Sequence, residues 1–93
     1  MAKQKLPKYA GVKVLIVEDD RDIRRDLVDF LERNGCKTYV CADAYSARAK
    51  IANGCDYDIL ITDMAMPGKV GGDQVIEASR HFYPNTPVVG ISE

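Results

Sequence analysis

A short apolar run near the start of the chain constrains the fold more than any other segment. Residues 12–17 read Val-Lys-Val-Leu-Ile-Val, a nearly continuous apolar stretch that is rich in β-branched side chains. Runs of this kind are typical of central strands covered on both faces, as in parallel sheets flanked by helices. Three acidic residues, Glu18, Asp19 and Asp20, follow at once. The segment therefore predicts a buried strand whose carboxyl end carries negative charge.

The rest of the 93-residue chain alternates between helix and strand patterns. We predict helices over about 21–33, 44–53 and 73–82, and further strands over about 37–42, 58–62 and 88–91. The first helix presents one apolar stripe, formed by Ile23, Leu27, Phe30 and Leu31. Strands that alternate with single helices imply right-handed crossovers and a parallel sheet. The predicted class is α/β, a doubly wound parallel sheet in one domain over residues 12–93, after a flexible tail over 1–11.

The composition argues against several classes of protein. The chain has 13 basic and 14 acidic residues, for a formal net charge of -1. This balance gives no positive electrostatic field that would attract nucleic acid. No apolar run is long enough to cross a bilayer, and no apolar stretch follows the basic start as in a secretion signal. The three cysteines match no metal-ligand spacing and fit reduced thiols. We therefore predict a cytoplasmic protein that binds neither nucleic acid nor membrane.

Acidic residues end two of the predicted strands. Glu18 and Asp19 follow the first strand, and Asp63 follows the strand over 58–62. The carboxyl ends of parallel strands meet at one edge of a sheet, so these carboxyl groups converge if the strands are neighbours. Converging carboxylates repel, which raises a pKa or draws in a cation, and oxygen-only ligands suit Mg²⁺. Asp63 is thus a candidate nucleophile beside a metal that neutralises a transferring phosphoryl group.

The alternative interpretation is that these acids only cap helices and decorate loops. For Asp20 we favour that interpretation, because it directly precedes the first predicted helix. For Glu18, Asp19 and Asp63 chance is a poor explanation, because two separate strands each end in acid.

Three motifs together resemble the response-regulator receiver domains of two-component signalling. They are Val14-Leu-Ile-Val-Glu-Asp-Asp20, Tyr57-Asp-Ile-Leu-Ile-Thr-Asp63 followed by Met66-Pro67, and Tyr83-Pro-Asn-Thr-Pro-Val-Val-Gly-Ile-Ser92. The motifs span nearly the whole chain, in the order and at the spacing of that family. The resemblance implies a flavodoxin-like fold with strand order 2-1-3-4-5, of which receiver domains are themselves a standard example.

The resemblance also implies a role for each matching residue. Asp63 corresponds to the phosphoacceptor, which takes a phosphoryl group from a sensor histidine kinase or a phosphotransfer protein and becomes an aspartyl phosphate. Asp19 corresponds to a direct Mg²⁺ ligand and Glu18 to a ligand acting through water. Ala65 would offer its backbone carbonyl to the metal, and the Ser92 hydroxyl would contact a phosphoryl oxygen. Such a chain is a phosphorelay signalling module rather than an enzyme.

The sequence departs from the family pattern in two places. The loop after Met66-Pro67 is one residue longer, and Gly71 or Gly72 stands where the family has an acid. The pattern continues after Ser92 with a helix, a fifth strand bearing a phosphate-binding lysine, and a final helix. We therefore expect an incomplete receiver fold of about four strands and three helices, lacking the fifth strand and the last two helices. Either the chain is a fragment, or a second copy or an output partner covers that side.

These departures leave a second function open. A degenerate receiver scaffold serves equally as a phosphorylation-independent interaction or dimerisation module, and the missing lysine and looser loop favour it. A Mg²⁺-dependent phosphatase or nuclease is a weaker alternative, because the Asp-x-Asp patterns of those enzymes are absent around Glu18 and Asp63.

Overall fold

The computed structural model describes residues 8–66, 68 and 70–92. The first seven residues of the predicted tail, the Pro67 of the second motif, and Lys69 and Glu93 lie outside this description. The elements are strands β1 (Lys13–Val17), β2 (Lys37–Cys41), β3 (Ile59–Asp63) and β4 (Val88–Ile91), and helices α1 (Arg21–Arg33), α2 (Ala44–Ala52) and α3 (Gly72–Phe82).

All four strands are parallel and form one sheet in the order β2-β1-β3-β4. The predicted doubly wound α/β class and the implied strand order are therefore confirmed over these strands. The apolar run identified in the sequence is central strand β1, whose residues 14–17 are at most 1% exposed. The register aligns Val17 with Cys41 on one side and with Thr62 on the other. The ends of β1 and β3 therefore lie side by side.

Short polar side chains fix where the first two helices begin. Asp20 Oδ1 accepts hydrogen bonds from the backbone N–H groups of Asp22 (2.9 Å) and Ile23 (3.0 Å), so its predicted capping role is confirmed. Asp43 caps α2 in the same way, with its Oδ1 accepting from the Ser46 N–H at 2.6 Å. A cap of this kind contributes about 1 kcal/mol. Because α1 begins directly after Asp20, Glu18 and Asp19 remain on the loop between strand and helix.

The sheet buries its two faces unequally. The larger core cluster includes Leu15, Val17 and Leu60 and packs under α2 and α3. The smaller cluster consists of Val14, Ile16 and Cys36 under α1, flanked by half-buried Leu27, Val28, Leu31, Ile59 and Ile61. The predicted place of Phe30 in the apolar stripe of α1 was wrong, because its side chain is 60% exposed. The half-buried residues that α1 packs against the sheet are Leu27, Val28 and Leu31, and Phe30 lies on the solvent side.

The residues before β1 contact the far end of α1. The N–H of Tyr9 donates to the Asn34 carbonyl, and the N–H of Gly11 donates to the Gly35 carbonyl, both at 3.0 Å. The domain boundary at residue 12 stays a prediction. None of the helices in the described part of the chain combines the length and the apolar character needed to span a bilayer.

Candidate functional site

The ends of β1 and β3 bring the three predicted acids together. Glu18 and Asp19 directly follow β1, and Asp63 is the last residue of the neighbouring β3. One carboxylate oxygen from each of these residues lies within 4.8 Å of the other two. The convergence inferred from the sequence is therefore present, and its physical origin is the in-register pairing of β1 with β3. Such spacing suits three oxygens that share one small cation.

Glu18 is the buried member of this acidic cluster (Glu18, Asp19 and Asp63). Its side chain is only 6% exposed, and among the described residues its Oε2 has no hydrogen-bond partner. Its backbone is fixed, because its N–H donates to the Cys41 carbonyl at 3.1 Å. A buried carboxylate oxygen without a partner is unfavourable by about 1–3 kcal/mol or more. The arrangement therefore favours a proton or a cation at this oxygen.

The pKa values of Glu18 and Asp63 are displaced in opposite directions. Burial raises the pKa of Glu18 to about 7, and the neighbouring carboxyl group of Asp63 adds to the shift. Burial alone would also raise the pKa of Asp63, but the backbone N–H of Ala65 and the carboxyl groups of Glu18 and Asp19 outweigh it and lower that pKa. At neutral pH Asp63 is therefore ionised while Glu18 readily exchanges a proton. An ionised carboxylate is the form required of a nucleophile.

The backbone around Asp63 holds its carboxylate in one direction. Its Oδ1 accepts a hydrogen bond from the N–H of Ala65 at 2.9 Å. The intervening residue, Met64, donates its own N–H to the Ile91 carbonyl of β4 at 2.9 Å. The phosphoacceptor candidate is thus tied to the neighbouring strand on one side and to its own loop on the other.

Arg24 is a site residue that the sequence reasoning missed. Its guanidinium donates to the backbone carbonyls of Glu18 (2.8 Å) and Asp19 (3.4 Å), so it holds the loop without neutralising a carboxylate. One signal in the sequence could have found it: a basic residue in the first turn of the helix that follows the acidic loop. The ion pairs formed by the described residues, Lys13 with Asp56 and Arg25 with Asp22, lie outside the acidic cluster.

The two remaining candidates lie at the same edge of the sheet. Ala65 is exposed and two residues beyond Asp63. Ser92 is also exposed and follows Ile91, which pairs with Asp63 in the sheet register. Ser92 therefore stands one residue beyond the level of the phosphoacceptor candidate on the adjacent strand. The carbonyl role of Ala65 and the hydroxyl role of Ser92 stay predictions.

The chemistry of this donor set fits Mg²⁺. The cluster offers oxygen atoms only, places them on adjacent strand ends, and includes a buried oxygen without a partner among the described residues. Mg²⁺ prefers oxygen ligands, tolerates few protein carboxylates, and completes its shell with water and phosphate oxygens. Glu18, Asp19 and Asp63 are the residues that would hold it.

Comparison with known proteins identifies the family. The model of the response regulator receiver domain family matches residues 14–93, so the chain belongs to this family. The response regulator protein FleR of Pseudomonas aeruginosa is 36% identical over 79 residues, covering 85% of this chain and 16% of FleR. Protein PilG of the same organism is 31% identical over 84 residues, covering 88% of this chain and 61% of PilG. The chain thus spans less than two thirds of either relative.

A solved structure agrees with the fold. The response regulator protein TrrA of Thermotoga maritima, crystallised in complex with Mg²⁺-BeF, superposes with a TM-score of 0.79 at 26% sequence identity. The match covers 87% of this chain and 69% of TrrA. The implied flavodoxin-like receiver fold is therefore confirmed for the four strands and three helices described here. Receiver domains are signalling modules that interact with histidine kinases or phosphotransfer proteins.

Proposed function

We propose that this chain accepts a phosphoryl group on Asp63 as a step of a phosphorelay, with Mg²⁺ held by Glu18, Asp19, Asp63 and the Ala65 carbonyl. The observation that carries the proposal is the acidic cluster itself, with its oxygens within 4.8 Å of one another and a buried Glu18 oxygen that lacks a partner among the described residues. A purely structural cluster would pair such charges with lysine or arginine.

The chemistry required of the chain is a simple displacement. An ionised oxygen of Asp63 attacks phosphorus, a new P–O bond forms, and the bond from phosphorus to the donor atom breaks. With a phosphohistidine donor, the electron pair of the broken P–N bond returns to the imidazole, which takes up a proton. Bound Mg²⁺ supplies charge neutralisation for the transferring phosphoryl oxygens.

The surrounding residues position the reacting groups. The Ala65 N–H fixes one Asp63 oxygen, and Ser92 stands on the adjacent strand end, where its hydroxyl would donate to a phosphoryl oxygen. Arg24 holds the loop that carries Glu18 and Asp19. Preorganised groups of this kind lower the barrier because they need not be ordered during the reaction.

The donor is proposed to be a sensor histidine kinase or a phosphotransfer protein, in the cytoplasm. The proposal follows from family membership and from the outward opening of the site, where Asp19, Ala65 and Ser92 are all exposed. A partner can therefore present a phosphorylated side chain to Asp63 without opening the core.

The direct test uses a small-molecule phosphodonor such as acetyl phosphate with Mg²⁺. We expect a hydroxylamine-sensitive adduct of one phosphoryl group, detected by intact mass, that Asp63→Asn removes completely. Asp58→Asn is the matched control, because Asp58 lies at the opposite end of β3 and accepts a hydrogen bond from the Lys13 N–H. That control should retain the adduct.

Absence of an adduct with both the small donor and a kinase would contradict the proposal. The alternative, a phosphorylation-independent interaction or dimerisation module, would then stand. In that case the acidic cluster should still bind Mg²⁺, because its geometry does not depend on phosphoryl transfer.

A further inference from the structure

Two glycines pack against the residue that follows the phosphoacceptor. Gly72 opens α3 and lies directly against the end of β3. A Cβ atom at Gly72 would stand 2.5 Å from the carbonyl oxygen of Asp63 and 2.8 Å from the Cα of Met64. Both distances are far below van der Waals contact, so only glycine allows α3 to start this close to the Asp63–Met64 peptide.

The second glycine lies on β4 and contacts the side chain of Met64. A Cβ atom at Gly90 would stand 3.0 Å from the Met64 Sδ and 3.1 Å from its Cγ. The same sulfur would lie 2.9 Å from a Cβ at Gly72. The thioether of Met64 therefore runs between the two glycines, and we call this arrangement the Met64 slot (Gly72, Gly90 and the Met64 side chain). A flexible methionine fills such a gap well.

The Met64 slot lies between two hydrogen bonds that define the direction of the Asp63 carboxylate. The Met64 N–H donates to the Ile91 carbonyl, the residue after Gly90, at 2.9 Å. The next N–H, that of Ala65, donates to Asp63 Oδ1, also at 2.9 Å. A change in the Met64 backbone alters both hydrogen bonds, because the two N–H groups flank the Met64 residue. The two glycines leave room for the thioether in the slot, and a side chain there would push Met64 and its backbone aside.

We propose that Gly72 and Gly90 are positioning residues, which lock Met64 in its slot and thereby hold the Asp63 carboxylate on the Ala65 N–H. The effect that we expect on the phosphorylation rate when either glycine is replaced rests on the proposed function of Asp63. The consequence for carboxylate direction does not, because the hydrogen bond between Ala65 and Asp63 exists without any phosphoryl group.

The proposal explains why two positions facing Met64 both carry glycine. Gly90 has no requirement for a left-handed backbone, since the residues with positive φ are found elsewhere, at Gly11, Gly35, Gly54 and Gly68. A strand normally favours β-branched residues over glycine. The described contacts therefore explain the glycine in β4 by the space that the Met64 side chain occupies.

The test replaces Gly90 by valine, which fills the slot while favouring the strand conformation. We expect the Ala65 amide of Gly90→Val to exchange its hydrogen about tenfold faster, because its bond to Asp63 is weakened. We expect the maximal phosphorylation rate with acetyl phosphate and Mg²⁺ to fall about tenfold, with the half-saturating donor concentration unchanged. Thermal unfolding checks that the fold is retained, and Gly90→Ala is the milder variant if valine prevents folding.

Truncation of Met64 separates positioning from a general structural effect. The double variant Gly90→Val with Met64→Ala should behave like Met64→Ala alone in amide exchange and in rate, because the valine then has no thioether to displace. Gly71→Ala is the matched control, since a Cβ there meets only Gln74 Oε1 at 3.6 Å, an ordinary contact. It should match the wild type in both readouts.

Two results would overturn the proposal. One is a wild-type exchange rate of the Ala65 amide in Gly90→Val. The other is an equal loss in Gly90→Val with and without Met64, which would mean that the effect does not pass through the thioether. If the wild-type protein takes up no phosphoryl group, the proposed function fails, and amide exchange at Ala65 alone decides on the Met64 slot.

Discussion

Acidic residues lie before β3 at the amino end of the sheet and after both β1 and β3 at its carboxyl end, and the two sets of charges are balanced differently. At the amino end, the Lys13 ammonium pairs with Asp56, and the Lys13 N–H donates to Asp58 Oδ2 at 2.8 Å. The pKa of Lys13 is raised, first by its hydrogen bond to Asp56. At the carboxyl end, among the residues that the structure describes, the ion pairs leave Glu18, Asp19 and Asp63 without a basic side chain.

The difference supports the proposal that the carboxyl end of the sheet binds a cation. A nearby arginine, Arg24, is available there, yet it donates to the backbone carbonyls of Glu18 and Asp19 rather than to their carboxylates. Three carboxyl groups that converge without a counter-charge repel one another, which raises the pKa of at least one of them or recruits a metal ion. Burial raises the pKa of Glu18 most, and the neighbouring carboxyl groups of Asp63, Asp19 and Asp20 add to the shift.

The largest effect is expected on Mg²⁺ affinity, when one carboxylate is removed from the carboxyl end of the sheet. Asp19→Asn should weaken Mg²⁺ binding by at least about 10- to 100-fold, the range already seen when an outer-shell partner of a metal ligand is lost. The affinity is measured by isothermal titration calorimetry. Asp56→Asn removes one carboxylate from the amino end and should leave the affinity unchanged. Equal weakening in both variants would mean that the protein attracts Mg²⁺ only through its overall charge.

The close approach of α3 to the end of β3 provides the next largest effect. Gly72→Ala should lower the free energy of unfolding by about 1–3 kcal/mol, because the new methyl group overlaps the Asp63 backbone. Chemical denaturation measures this change. The neighbouring Gly71→Ala introduces no clash, and its stability should fall by at most about 1 kcal/mol, because Gly71 is the N-cap of α3 and alanine caps less well. A wild-type stability for Gly72→Ala would contradict the described packing.

The smallest predicted effect is a dependence of stability on pH that originates at Glu18. Its pKa rises from 4.5 to about 7 on folding, so the folded state binds more protons than the unfolded state between these values. The free energy of unfolding contributed by this group therefore falls as pH rises through that window.

Comparison with Glu18→Gln isolates this contribution from the other titrating groups. Denaturant titration measures the stability of the wild type relative to Glu18→Gln. This difference should decrease from about pH 5 to about pH 8, the range over which the folded and unfolded states differ in protonation of Glu18. Mg²⁺ should reverse the decrease at the higher pH, because the cation replaces the proton at the buried oxygen. A stability difference that stays constant with pH would show that folding does not raise the pKa of Glu18.

The sequence was sufficient to predict the parallel sheet, the cap at Asp20, and the meeting of Glu18 with Asp63. These features follow from local patterns and from a rule of parallel sheets, that strand ends of the same kind share an edge. The resemblance to receiver domains is confirmed by the family match over residues 14–93. The roles that it implies for single residues stay predictions.

The remaining features depend on contacts between distant segments. The exposure of Phe30 depends on the rotation of α1 about its own axis against the sheet. An apolar stripe does not fix that rotation to within one residue. The hydrogen bonds of Arg24 depend on the path of the loop after β1. The Met64 slot joins α3, β3 and β4, and glycine at two of its positions gives no periodic signal in the sequence.

Central to the proposed function is that the carboxyl end of the sheet binds a divalent cation and the amino end does not. Its most direct test is a Mg²⁺ titration followed by the backbone amide resonances in ¹H–¹⁵N NMR spectra. We predict saturable shifts at Asp19, Met64 and Ala65, with Asp56 and Asp58 unaffected. Shifts that fail to saturate, or that are equally large at both ends, would contradict the account.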